Sequence, residues 1–160
     1  GNRIGFVGRF AKGKGIDVFI EFSKYMRNSE FKFYTYGNGS FKNEIIKSQN
    51  IKNSDWEFQK KIYKKIDILL LTSPIENCPF TVLEAKSFGI PTLSISRGGV
   101  KEIIKNKNDG IILKENSNFN IIKNNLKFIK KNISRFSKNC IKNRSNFNYS
   151  INFLKILKKM

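Results

Sequence analysis

Ile66-Asp67-Ile68-Leu69-Leu70-Leu71-Thr72-Ser73-Pro74-Ile75-Glu76-Asn77-Cys78-Pro79-Phe80-Thr81-Val82-Leu83-Glu84-Ala85-Lys86-Ser87-Phe88-Gly89-Ile90-Pro91 is the stretch that decides the fold. Its first run, Ile66 to Leu71, is apolar except for Asp67. Such continuity predicts a central strand of a parallel sheet covered on both faces, because a strand with one wet face alternates. Pro79 suits the first turn of a helix over Phe80–Phe88, and Gly89-Ile90-Pro91 is a stop signal. The next strand follows at once, which makes the stretch a βαβ unit.

Working outward, β-rich runs stand at Arg3–Val7, Phe31–Tyr36, Pro91–Ser94 and Gly110–Leu113, and most gaps between them have room for a helix. Ile16, Phe19, Ile20, Ser23 and Met26 follow helical spacing and predict an amphipathic helix. From Asn118 onward, Ile121, Ile122, Leu126, Phe128, Ile129 and Ile133 suggest one helix, and Ile151–Leu157 a second. The Asn- and Ser-rich Asn143–Ser150 is the expected joint between them. The reading is an α/β domain with a core over residues 1–115 and basic C-terminal helices over 116–160.

With 160 residues and 18.6 kDa the chain fits one domain able to bury a core. It has 15 Phe, which argues against disorder. There is no His, so a Ser-His-Asp triad, a Cys-His pair or a His-bearing metal site would need residues from another chain. Cys78 and Cys140 are too few for a disulfide framework and match no metal motif, which favours a reducing cytoplasm. No apolar run approaches the about 20 residues that span a bilayer, and no signal-peptide pattern is visible.

Lys and Arg number 31 against 12 Asp and Glu, a net charge of +19. From Asn116 to Met160 there are eleven Lys or Arg and no acid. An anionic partner follows: nucleic acid, an acidic membrane surface or a phosphorylated small molecule. A plainer source competes with all three, since Lys, Asn and Ile make up 68 of the 160 residues and all can be encoded by A and T alone.

Two segments carry chemistry. Gly8-Arg9-Phe10-Ala11-Lys12-Gly13-Lys14-Gly15 places glycines and cations where the first strand turns into a helix. Ligands of open α/β sheets bind at that edge, and the helix N-terminus would join Arg9 and Lys14 in holding an anion such as phosphate. The loop is neither a Walker A sequence nor Gly-x-Gly-x-x-Gly, so it reads equally as a glycine-rich turn with solvated lysines. The second segment puts Glu76 in the loop after the central strand and Glu84 about one turn into the helix. Each carboxylate can accept two hydrogen bonds from sugar hydroxyls, although singly each reads as a solvated or dipole-complementing acid.

Together these landmarks resemble, in order, the donor-binding half of the retaining GT-B glycosyltransferases of family 4. They are Gly8-Arg9-Phe10 with Lys14-Gly15-Ile16-Asp17, Tyr36-Gly37-Asn38-Gly39, Ser73-Pro74-Ile75-Glu76 with Leu83-Glu84-Ala85, Gly89-Ile90-Pro91, Gly98-Gly99-Val100-Lys101-Glu102 and Asn108-Asp109-Gly110. Glu76 and Glu84 fit that family's paired-glutamate motif. The resemblance covers about residues 3 to 115 and implies a Rossmann-like fold, a parallel sheet with helices on both faces that forms the C-terminal half of a GT-B enzyme.

The resemblance also implies roles. Arg9 and Lys14 would clamp the diphosphate and, with Glu76, serve catalysis. Glu76 would bind hydroxyls of the donor sugar, Glu84 those of the ribose, and the main-chain N–H groups of Phe80 and Thr81 would complete the cradle. Pro79 departs from the family, where glycine is common, and cannot donate an N–H. Between Gly39 and Ile66, where the family has a further strand, only Trp56-Glu57-Phe58 remains as a candidate. The expected activity is transfer of a sugar from a nucleotide-diphosphate carrier, a UDP-sugar foremost, to a glycan or lipid-linked acceptor, with no metal and no cofactor. The expected partners are the donor, an N-terminal GT-B domain that this chain lacks and, through its basic tail, an anionic membrane surface. The expected place is the cytoplasm, on the inner face of the cell membrane. A nucleotide-sugar-binding module without turnover, and a basic nucleic-acid-binding domain, are the alternatives; the second requires none of the landmarks.

Overall fold

The computed structural model describes residues 1–55 and 58–144. Six parallel strands form the sheet: β1 (Arg3–Val7), β2 (Lys32–Tyr36), β3 (Ile51–Ser54), β4 (Ile68–Leu71), β6 (Thr92–Ser94) and β8 (Gly110–Ile112), in the order β3-β2-β1-β4-β6-β8. A second ladder pairs β5 (Ile75–Glu76) with β7 (Arg97–Gly98), also parallel. The helices are α1 (Ile16–Tyr25), α2 (Lys42–Lys47), α3 (Gln59–Lys64), α4 (Phe80–Ser87), α5 (Val100–Ile103), α6 (Phe119–Lys131) and α7 (Ile133–Asn143).

The central strand is β4, buried at all four positions. Its side chains alternate between two cores. Ile68 and Leu70 pack with Phe19 and Phe22 of α1 and with Ile122, Leu126 and Phe136 of α6 and α7. Leu69 and Leu71 pack with Ile62 and Tyr63 of α3, Val82 and Ala85 of α4, and Val100 and Ile103 of α5. Helices therefore cover both faces, which is why the run is apolar without a break.

Three expectations need correction. The further strand is Ile51–Ser54, ahead of the candidate at Trp56-Glu57-Phe58, of which Trp56 and Glu57 lie outside the described residues. Ile-Lys-Asn-Ser carries little strand signal because β3 is an edge strand that buries Ile51 alone; its ladder to β2 runs through main chain, and Thr35 Oγ1 donates to Asn53 Oδ1 at 2.9 Å. The helix read through Ile133 ends at Lys131, and a separate helix α7 begins at Ile133. Both amphipathic helices face the same core, so the apolar spacing carries across their junction at Asn132. Pro79 is the N-cap of α4 and not part of its first turn. Ile151–Leu157 lies outside the described residues.

Asp67 opens β4 with a bidentate grip on Arg3 of β1: Arg3 Nη2 donates to Oδ1 at 2.7 Å, and Nε and the main-chain N–H donate to Oδ2 at 3.0 and 2.9 Å. Burial alone would raise the Asp67 pKa, but the hydrogen bonds and charge of Arg3 outweigh it and hold the carboxyl below its usual range. At the other end of β4, Thr72 Oγ1 donates to the carbonyl of Gly15 at 2.7 Å. Gly15 has φ +72°, and a Cβ there would lie 2.1 Å from the Thr72 carbonyl oxygen. Only glycine lets the β1–α1 loop sit this close to β4.

Because the folded Asp67 carboxyl has the lower pKa, its contribution is present above the unfolded value and is lost as pH falls through the folded one. Asp67→Asn should cost about 1 kcal/mol at pH 7, the pair being partly in solvent, and less below about pH 4, as read from urea midpoints at the two pH values. Gly15→Ala should cost about 2–4 kcal/mol by the same measurement, since strain at positive φ adds to the clash with Thr72.

Candidate functional site

The carboxyl ends of β1 and β4 and the amino end of α4 enclose a cavity of about 170 Å³ whose lining includes Arg9, Lys14, Glu76, Cys78, Phe80 and Thr81. Segments far apart in sequence meet there because a parallel sheet delivers each strand-to-helix turn to one edge. The loop Gly8–Phe10 is steadied by its neighbour: Gly8 N–H donates to Tyr36 O at 3.0 Å and Phe10 N–H to Asn38 O at 2.9 Å. Glu76 is held by β7. Gly99 N–H donates to Glu76 O at 2.9 Å, and a Cβ on Gly99 would lie 1.9 Å from Asn77 O. The Gly98-Gly99 pair thus forms a turn into α5 and at the same time backs the loop that presents Glu76.

Five of the six site residues expected from sequence line this cavity: Arg9, Lys14, Glu76, Phe80 and Thr81. Two of them touch. Lys14 Nζ donates to Glu76 Oε1 at 2.9 Å, with Glu76 the more buried partner at 12% exposure against 39%. The ammonium keeps two N–H groups and the carboxylate a second oxygen for a ligand. Arg9 is exposed and has no ion-pair partner among the described residues.

Helix α4 aims its amino end at the same space. The first N–H groups of a helix lack intrahelical acceptors, and here no side chain caps them and no acid stands in the first turn. Its positive end is therefore uncompensated. Two cations and a helix terminus against one carboxylate make the cavity a site for an anion, with one acceptor left for a hydroxyl beside it.

Glu84 does not line the cavity. It sits one turn farther along α4, where the Tyr63 hydroxyl lies 2.8 Å from Glu84 Oε2 and 3.1 Å from Thr81 O. Tyr63 has one proton for two acceptors. Burial, then the charge of Glu84, pushes its pKa up, so it stays a donor. Sequence reading missed Tyr63, because a lone aromatic in Lys60-Lys61-Ile62-Tyr63-Lys64 carries no sign of a partner 21 residues away.

The family model for glycosyl transferases group 1 matches residues 1–147. Among curated proteins, the chain is 28% identical over 122 residues to the α-1,4-N-acetyl-D-galactosaminyltransferase of Campylobacter jejuni named for a PP-undecaprenol-linked glycan, covering 70% of this chain and 34% of that protein. The chain spans about a quarter to a third of the length of the curated relatives it matches. Among solved structures, the C-terminal domain of a glycosyl transferase group 1 family protein from Francisella tularensis superposes with a TM-score of 0.75 at 20% identity, covering 92% of this chain and 85% of that one. The pneumococcal O-GlcNAc transferase GtfA, solved with UDP and GlcNAc, gives 0.78 at 21% identity over 99% of this chain and 35% of its own. These likenesses show a shared Rossmann-like α/β fold. Since the family match extends through every element described above, from β1 to α7, the chain belongs to the glycosyl transferases group 1 family.

Proposed function

We propose that this chain is the C-terminal, donor-binding half of a retaining GT-B glycosyltransferase of family 4, and that its cavity takes the diphosphate and sugar of a nucleotide-sugar, a UDP-sugar foremost. The observation that carries the reading is the convergence of Arg9, Lys14, Glu76 and the uncapped end of α4 on one cavity. Arg9 and Lys14 bind the diphosphate, the N–H groups of Phe80 and Thr81 continue that cradle, and the free oxygen of Glu76 accepts from a sugar hydroxyl. Glu84, held by Tyr63, accepts from the ribose. UDP in the pneumococcal structure and the lipid-linked glycan in the name of the Campylobacter relative support a UDP-sugar donor and a glycan or lipid-linked acceptor.

Transfer breaks the bond between the anomeric carbon and the diphosphate oxygen, and negative charge builds on the departing diphosphate. Arg9, Lys14 and the end of α4 oppose that charge more strongly than they hold the ground state, which is what lowers a barrier. In this scheme the two cations fill the place of a metal, and no cofactor takes part. The acceptor hydroxyl is held by an opposing domain, whose positioning is worth about 7 to 11 kcal/mol, so the chain alone binds donor without transferring it. The eleven cations of the tail hold the whole enzyme on anionic membrane at the inner face of the cytoplasmic membrane.

Arg9→Ala or Lys14→Ala should each weaken UDP binding by about 1.5–3 kcal/mol by calorimetry, and unchanged affinity in both would remove them from the site. Glu76→Gln frees Lys14 and removes a negative charge beside the diphosphate. It should leave UDP affinity equal or tighter while weakening UDP-glucose or UDP-N-acetylglucosamine, whereas Glu84→Gln should weaken UDP and both UDP-sugars alike. Parallel losses in the two glutamate variants would contradict this division.

A further inference from the structure

Beyond the donor cavity, the same edge of the sheet holds a second and larger one of about 740 Å³, between α5, β8 and the turn after β8. Arg97, Lys101, Lys105 and Lys114 line it, all exposed, over a floor of Ile104, Ile112 and Leu113. Among the described residues its one acid is Glu115, whose Oε2 accepts from Arg97 Nε at 2.9 Å. Glu102, on the same helix as Lys101, does not line it. Among the described residues, Lys105 Nζ reaches the neutral Asn143 Oδ1 at 3.4 Å, and Lys101 and Lys114 have no ion-pair partner. Once Glu115 is set against Arg97, three lysines share one concavity without a counter-ion from its lining.

We propose that this cavity binds a diphosphate or phosphomonoester group, and that in the working enzyme the group belongs to the acceptor. The charge argues for phosphate. Lys101 and Lys114 line this space without an ion-pair partner among the described residues, and Lys105 stands in the same wall with its Nζ on the neutral Asn143; an anion of charge −2 or more neutralises such an excess where a single carboxylate would leave most of it. Lysines without a fixed fork suit a tetrahedral anion approached from several sides, and the aliphatic floor gives the rest of the molecule apolar surface.

The acceptor assignment rests on the glycosyltransferase reading, and the anion site does not. Its warrant is adjacency. Gly98 pairs with Glu76, and Arg97 with Ile75, in the two-residue β5–β7 ladder, so the strand that walls this cavity is the one that backs the donor glutamate. Glu115 also lines the hollow formed by Lys12, Gly15, Thr72 and Pro74 beneath the β1–α1 loop. A molecule seated over Arg97 therefore extends along the carboxyl edge toward Glu76 and Lys14.

The test is a residue-resolved NMR titration of the 15N-labelled chain with inorganic pyrophosphate in the presence of saturating UDP. Saturable shifts are expected at the amides of Arg97, Lys101, Lys105 and Lys114. Lys101→Ala with Lys114→Ala should weaken them at least about tenfold, the effect of losing hydrogen bonds to a charged group, with the remaining spectrum unchanged. Lys127→Ala with Lys131→Ala takes the same charge from α6 and should shift the affinity by less than about twofold. Geranyl diphosphate binding more tightly than pyrophosphate would identify a lipid-linked source, and equal affinity a soluble phosphate ester. Absence of saturable shifts at these residues, or equal loss in the α6 variant, overturns the proposal. Failure of UDP to bind would instead count against the donor reading, and the shifts at Arg97 to Lys114 would still decide the anion site.

Discussion

The contact between Thr72 and Gly15 sets the rest of the site. Thr72 follows the fully buried strand β4 and donates to the carbonyl of the one residue that joins the cation-bearing loop to α1. Because Gly15 has no Cβ, the loop can rest against the β4 main chain, and Lys14 comes within reach of Glu76 on the following loop. If the loop stood off by the width of a methyl group, the ion pair and the cavity behind it would open to water, where a charge contact weakens several-fold. The glycines at 98 and 99 act on Glu76 from the opposite side, so the glutamate loop is pinned between two close main-chain approaches.

Much of this arrangement was legible in the chain, for reasons that differ by element. The strands β1, β2, β4 and β8 and the helix α1 bury patterned or continuous apolar side chains, which report burial directly, whereas α4, which buries Val82, Ala85 and Lys86 without an apolar stripe, is marked by Pro79 before it and Gly89-Ile90-Pro91 after it. The short α2, polar and with one buried residue, Ile45, leaves no such trace, nor does α3. Site residues were legible by type and position, since a turn at the carboxyl edge of a parallel sheet is where ligands bind. Their pairing was not. Lys14 with Glu76, and Tyr63 with Glu84, are side-chain contacts between segments 62 and 21 residues apart, and nothing local encodes them.

The ionic pairs divide by depth. Lys86 of α4 and Asp109 form a pair at 2.9 Å with almost no exposed surface, and Asp109 also accepts from the Lys105 main chain and from Asn143. Removing either partner would strand a buried charge, a loss of several kcal/mol, so this pair fixes α4 against the approach to β8. The last turn of α4, which carries Lys86, is thereby anchored while its first turn stays open to the cavity. Lys14 with Glu76 is the shallower kind, exchangeable with a ligand at modest cost.

The two thiols stand at opposite extremes of access. Cys140 is buried in α7, its Sγ donating to Asp109 O at 3.0 Å, and burial followed by the charge of Asp109 pushes its pKa up to about 12. Cys78 is exposed and lines the cavity of Arg9, Lys14 and Glu76 beside Pro79. A maleimide or fluorophore offered to the native chain therefore meets a single sulfur, and it lies in the wall of the site itself. The fold carries its own spectroscopic attachment point, where occupancy of the cavity would be felt as shielding of one atom.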